Sequence, residues 1–285
     1  MLGKLFQHEW KRVYKVECLL LAVLFVFSVA GALMFASPMG NLIFGDGGRY
    51  MTETEIFFWT MTFITSIFMY VIVVIGVMYG SMIYLGVNFY RSMYTDEGYL
   101  AHTLPVTPHQ LLGSKVLVGA LWTFIMQVGM AISIFLLVFS MVVAEDPTML
   151  GDMKELFAEL EVLEPDTKGM IIHGGIMYLC AVLVSPFASM SILFGALTIG
   201  QLSKKHKGMM GILAYFGIMV ANSIITQITQ TIGSILAMRM ESYSASGYNE
   251  VMFYTYDVQI LITLLIGAGL YFLSHYIISQ KLNLN

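Results

Sequence analysis

Six apolar runs constrain this chain more than any other feature. They lie near residues 18–37, 57–88, 116–143, 170–200, 209–237 and 257–279. Each reaches or exceeds the roughly 20 residues that a helix needs to cross a hydrocarbon core about 30 Å thick. In such a core, backbone N–H and C=O groups find no partner except one another, so only helices and closed barrels can span it. The runs are continuous rather than alternating, which excludes a barrel. The expected fold is an all-α integral membrane protein with six transmembrane helices. Composition agrees, with 58% hydrophobic and 11% charged residues, against about a quarter charged in soluble domains.

Charge sets the direction. With the N-terminus in the cytoplasm, ten of the 14 basic residues fall on that side: Lys4, Lys11, Arg12, Lys15, Arg91, Lys115, Lys204, Lys205, Lys207 and Lys281. Arg49, Lys154, Lys168 and Arg239 fall outside, and of the acids only Glu9, Glu17, Asp96 and Glu97 fall inside. This asymmetry predicts both termini in the cytoplasm and a multi-pass chain in the plasma membrane. The first run is expected to remain as a span. Its flank is long and acidic at Glu9 and Glu17, unlike the n-region of a cleaved leader. Residues 1–16 read as an interfacial amphipathic helix. Leu5, Phe6, Trp10, Val13 and Tyr14 recur at helical spacing, and Lys4, Lys11, Arg12 and Lys15 are available to the headgroups of membrane lipids.

The spans lack the groups that drive transport. No Asp, Glu, Lys or Arg is expected at mid-membrane depth, where such groups are costly and usually functional. His173 and His275 lie near span ends and read as interfacial residues. Cys18 and Cys180 lie inside apolar runs and read as small core residues, so neither a disulfide nor a metal site is expected. No HExxH, Ser/His/Asp grouping or P-loop occurs. The chain is therefore not expected to be an enzyme, and no cofactor is expected in it. Energy for any work must come from elsewhere. No nucleic-acid partner is expected.

Some polarity remains inside the spans. Asn222, Thr226, Gln230 and Ser234 recur at steps of four in the fifth, with Gln227 beside them. Such a face meets protein or water rather than lipid, either as helix–helix glue or as the lining of a path. In the second span Gly76 and Gly80 form a small-residue pair suited to close helix contact. Pro186 is expected to kink the fourth. The acidic outer segment 144–169 has helical periodicity through Met153, Leu156, Phe157, Leu160 and Leu163. It reads as a short external amphipathic helix, a cap or a solvated connector. The tyrosine-rich loop 239–256 suits the membrane–water boundary.

Between the second and third spans lies the most punctuated stretch, 91–115, RSMYTDEGYLAHTLPVTPHQLLGSK. Thr95 reads as an N-cap with Asp96 and Glu97 in the first turn, where the helix dipole favours acids. The short helix, about 95–103, ends ahead of Leu104-Pro105. Thr107-Pro108-His109-Gln110 then starts the next helix with a capping-box pattern. The first of these helices holds Tyr94, Tyr99, Leu100 and Leu104 out at the cytosolic surface beside two acids. That is a docking surface by chemistry. The alternative, a helix lying on headgroups, is disfavoured because an anionic leaflet repels the acids.

The run FYRSMYTDEGYLAHTLPVTPHQLLGSKVL resembles the signature of the ABC-type-2 permease family, the membrane subunits of bacterial ABC exporters. Arg91, Glu97, Leu104, Pro105, Val106, Thr107, Leu112 and Lys115 match that pattern, and six spans with both ends inside also fit. The resemblance implies that the 91–115 loop carries a coupling helix seated on a separate ATPase subunit, which binds ATP and magnesium. Arg91, Tyr94, Asp96, Glu97, Tyr99, Leu100, Leu104 and Pro105 would form the docking site. It further implies a second permease subunit, identical or related, with the path between the two. The acidic segment 144–169 is longer than the family's minimal connectors. The absence of intramembrane charge points to amphipathic cargo: a peptide, a drug or a lipid-like molecule. A channel, and a membrane-embedded immunity or assembly protein, are the competing readings.

Overall fold

In the computed structural model the described residues form six long helices and no strand. The structure describes residues 2–35, 52–95, 98, 106–145, 165–241 and 245–280. The helices are α1 (Leu2–Phe35), α2 (Glu53–Tyr94), α3 (Pro108–Glu145), α4 (Pro165–Gly200), α5 (Lys207–Glu241) and α6 (Ala245–Gln280). All six contain stretches long and apolar enough to cross a membrane. The acidic segment 146–164 lies outside the described residues.

The helices outrun the apolar runs. The shortest, α1, has 34 residues, and at about 1.5 Å per residue it is about 51 Å long, well beyond the hydrocarbon thickness. Residues 2–16, expected as a separate interfacial helix, continue without a break into the span. No Gly or Pro interrupts residues 4–30, so nothing in the backbone favours a turn there. Capping sets two of the starts. Thr52 and Glu55 open α2, with Thr52 N and Oγ1 donating to Glu55 Oε2 at 2.9 and 2.8 Å. Thr107 opens α3, where Gln110 N donates to Thr107 Oγ1 at 3.3 Å and Pro108 takes the first helical position.

The chain divides into two compact units. One comprises residues 1–13, 84–124 and 164–285. Here α4, α5 and α6 pack against one another. The C-terminal half of α4 is apolar around its circumference and is buried almost throughout, including Met190, Phe194, Ala196 and Leu197. A methyl group at Gly200 would fall on the backbone of Gly211, so the α4–α5 turn closes only with glycine there. His206, at φ 52°, completes that turn, and its carbonyl accepts from Met210 N at 3.0 Å. Helix α4 continues through Pro186, and the Ser189 hydroxyl donates to the Pro186 carbonyl. The expected kink is thus not accompanied by a break in the helix.

The other unit comprises residues 14–83 and 125–163. Leu24, Val77 and Met126 form its buried centre, with Leu20, Leu21, Val73, Val74 and Met130 packed around them. Gly76, expected in a close helix contact, has open space where a side chain would go, and Gly80 meets only Leu20 at ordinary distance. Among the described residues neither glycine makes a close backbone approach to a second helix.

Candidate functional site

The site is built from the two ends of the 91–115 connection. At its start, Thr95 Oγ1 donates to the Arg91 carbonyl at 2.6 Å, and Gly98 N donates to the Thr95 carbonyl at 2.7 Å. Thr95 was expected to cap the following helix, but its hydroxyl finishes α2 instead. A hydroxyl at the end of a helix finds an orphan carbonyl one turn back. Asp96, Glu97, Tyr99, Leu100, Leu104 and Pro105 lie outside the described residues. Arg91 is exposed. Tyr94, expected among the outward docking groups, points inward: its hydroxyl shares a hydrogen bond with Thr198 Oγ1 at 2.7 Å, and its ring meets Phe89 edge-on. A phenol at the end of α2 gains more from a partner on α4 than from standing in water.

At the far end of the connection Lys115 is buried. Its Nζ donates to Glu9 Oε1 at 2.5 Å and to Ser92 Oγ at 2.7 Å. The Lys115 and Glu9 side chains are only 4% and 10% exposed. One lysine thereby joins the N-terminal part of α1, the last turn of α2 and the first turns of α3. Apolar packing seals the joint. Trp10 stacks on Trp122 with ring centroids 4.6 Å apart, and Phe89 stacks on Phe194 at 4.0 Å and 6°. Tyr84 Oη donates to the Arg12 carbonyl at 3.3 Å. A small cavity beside the ion pair is lined by Glu9, Val13, Asn88, Phe89, Lys115 and Phe194. Each charge has its counter-charge, and the lysine has a further hydrogen bond to Ser92, which offsets part of the desolvation of the pair.

Sequence reasoning placed Glu9 in a charged flank and Lys115 in a motif, without joining them. A signal was present: Glu9, Val13 and Glu17 recur at steps of four, away from the exposed Lys4, Lys11 and Lys15. The same stripe holds Glu17, which stands at the charged edge of the first apolar run, just before the uncharged residues 18–35, and is fully buried. Ser81 Oγ donates to Glu17 Oε2 at 2.7 Å. Farther along α1, Ser28 Oγ donates to the Ser133 carbonyl at 3.0 Å, and Tyr70 Oη meets Ser133 Oγ at 2.7 Å.

The polar residues of α5 do not share one environment. Asn222, Thr226 and Ser234 are half-buried, whereas Gln227 and Gln230 are exposed. Gln259 Nε2 of α6 donates to Thr226 Oγ1 at 2.5 Å. The polar arc therefore straddles the edge of the α5–α6 contact, because steps of four drift around a helix of 3.6 residues per turn. His173 pairs with Asp257 at 3.0 Å. His275 is half-buried and meets His109 edge-on at 5.5 Å. Cys18 and Cys180 are free and exposed, contrary to the expectation of core packing. Among the described residues no group of three or more His, Cys, Asp or Glu could hold a metal.

No family model, curated protein or solved structure matches the chain.

What remains is the chemistry of the site. Lys115 and Glu9 are charge-paired, Ser92 Oγ accepts from Lys115, and all three are out of solvent. The arrangement ties α1, α2 and α3 together at one buried lysine.

Proposed function

We propose that the chain is the membrane subunit of an exporter driven by a separate ATP-binding subunit, a permease of the ABC-type-2 kind in the plasma membrane. The observation that carries this reading is the anchoring of both roots of the 91–115 connection by buried contacts, Lys115 to Glu9 and Ser92, and Tyr94 to Thr198. A loop anchored this firmly at each end is suited to receive a push. Arg91, Asp96, Glu97, Tyr99, Leu100, Leu104 and Pro105 form its docking face in the cytoplasm, with Tyr94 as an inward root. ATP and magnesium belong to the partner. The exposed Gln227 and Gln230 meet a second permease subunit or the path between the two, since a bare amide facing lipid is costly. The cargo is amphipathic.

The test is double charge reversal, Asp96→Lys with Glu97→Lys. A tagged wild-type chain taken from native membranes brings down an ATPase subunit and stimulates its hydrolysis. The variant inserts normally but loses the partner, with stimulated hydrolysis falling at least several-fold. Equal recovery of the partner and equal hydrolysis overturn the reading. The exposed glutamines also suit a channel, so flux through liposomes holding the pure chain alone favours that alternative.

A further inference from the structure

The acids of α1 divide by their partners. Glu9 has a lysine. Glu17 has a serine hydroxyl on Oε2, while its buried Oε1 has no hydrogen-bond partner among the described residues. Its relative exposure is 0%. A naked carboxylate in such surroundings loses its hydration and gains one neutral donor in return, which does not balance.

Among the described residues no counter-charge is hydrogen-bonded to it. From Ile56 to Tyr90 on α2, and from Val116 to Ala144 on α3, there is no Lys, Arg, His, Asp or Glu. The ionisable groups of those stretches are the α2 tyrosines. Tyr70 is bonded to Ser133, Tyr84 to the Arg12 carbonyl, Tyr79 is exposed, and Tyr90 lies against the Tyr94 ring. Helix α3 offers no tyrosine there. On α1 itself Lys11, Tyr14, Lys15 and Cys18 are exposed while Glu17 is buried, and Arg12 sits more than one turn earlier. Lys115 is committed to Glu9 and Ser92.

We infer that Glu17 is a proton-binding site, a neutral carboxylic acid that joins α1 to α2 through Ser81 at the start of the first apolar run. With the proton bound, the α1–α2 contact closes around a neutral pair. Without it, the contact encloses an unpaired charge and opens, so proton occupancy governs how α1 lies on α2. This goes beyond the proposed export role and does not depend on an ATPase partner.

A hydrophobic carbodiimide tests it on the full chain in lipid nanodiscs. A neutral carboxyl passes its proton to a carbodiimide nitrogen as its oxygen bonds the central carbon. An acyl shift then retains the whole reagent as an N-acylurea. At neutral pH dicyclohexylcarbodiimide is expected to label the peptide carrying Glu17, with labelling falling several-fold at alkaline pH. Glu17→Gln abolishes the adduct. Because poor reagent access can mimic a negative, the infrared spectrum decides: a neutral-acid C=O stretch at neutral pH, lost in Glu17→Gln, supports the site. If the folded wild-type protein has no such band that the variant loses, the inference is overturned, whatever the labelling.

Discussion

Lys115 Nζ stands 2.5 Å from Glu9 Oε1, although 106 residues separate them in the chain. Both charges are out of solvent, so removing one strands the other. Lys115→Met or Glu9→Leu alone is expected to destabilise the purified protein by about 3–5 kcal/mol. The double apolar variant, Lys115→Met with Glu9→Leu, should recover most of that loss. Thermal unfolding in one detergent reads the cycle. Single variants as stable as wild type would show that the pair contributes little.

At Gly267 a side-chain carbon would approach the Ala188 Cα to 2.8 Å. Helices α6 and α4 therefore pack backbone to backbone at this point. Gly267→Val is expected to cost at least about 1–3 kcal/mol and to lower the yield of monodisperse protein. Gly76→Val, placed in open space, should cost little by the same assays.

The exposure of Gln227 and Gln230 predicts a protein neighbour. With Cys18 and Cys180 replaced by serine, a cysteine at 227 or 230 should cross-link to a neighbouring subunit in native membranes. A cysteine at Asn222, half-buried in the helix contact, should not. Cross-linking at all three positions, or at none, would remove support for the interface.

Helix α3 begins at a threonine that caps it. Thr107→Ala is expected to cost about 1 kcal/mol, and Thr107→Asp to restore it. If the connection is the input of a lever, the alanine variant also lowers ATPase stimulation, because one root of the loop loosens. Stability and stimulated hydrolysis are measured on the same preparations.

The six helices were legible because helix formation in lipid is a local matter. Each residue bonds the one four positions back, and apolar length alone decides whether the segment can span. The Thr107 cap was legible for the same reason, being a pattern of four adjacent residues. Thr95 was misjudged because the same side chain can finish one helix or start the next, and local sequence favours both. Tyr94 and the two cysteines were misjudged because their surroundings depend on which face of a helix its neighbours cover.

By itself the amino-acid sequence determined that this chain forms six long apolar helices, together with the punctuation that starts and stops several of them. Only the tertiary structure decided that Glu9 takes Lys115, that Glu17 takes a serine, and that Tyr94 turns inward. The reason is physical. Backbone hydrogen bonds close within one turn of a helix, whereas a buried polar side chain is satisfied by whatever the rotation and crossing of separate helices bring within about 3 Å.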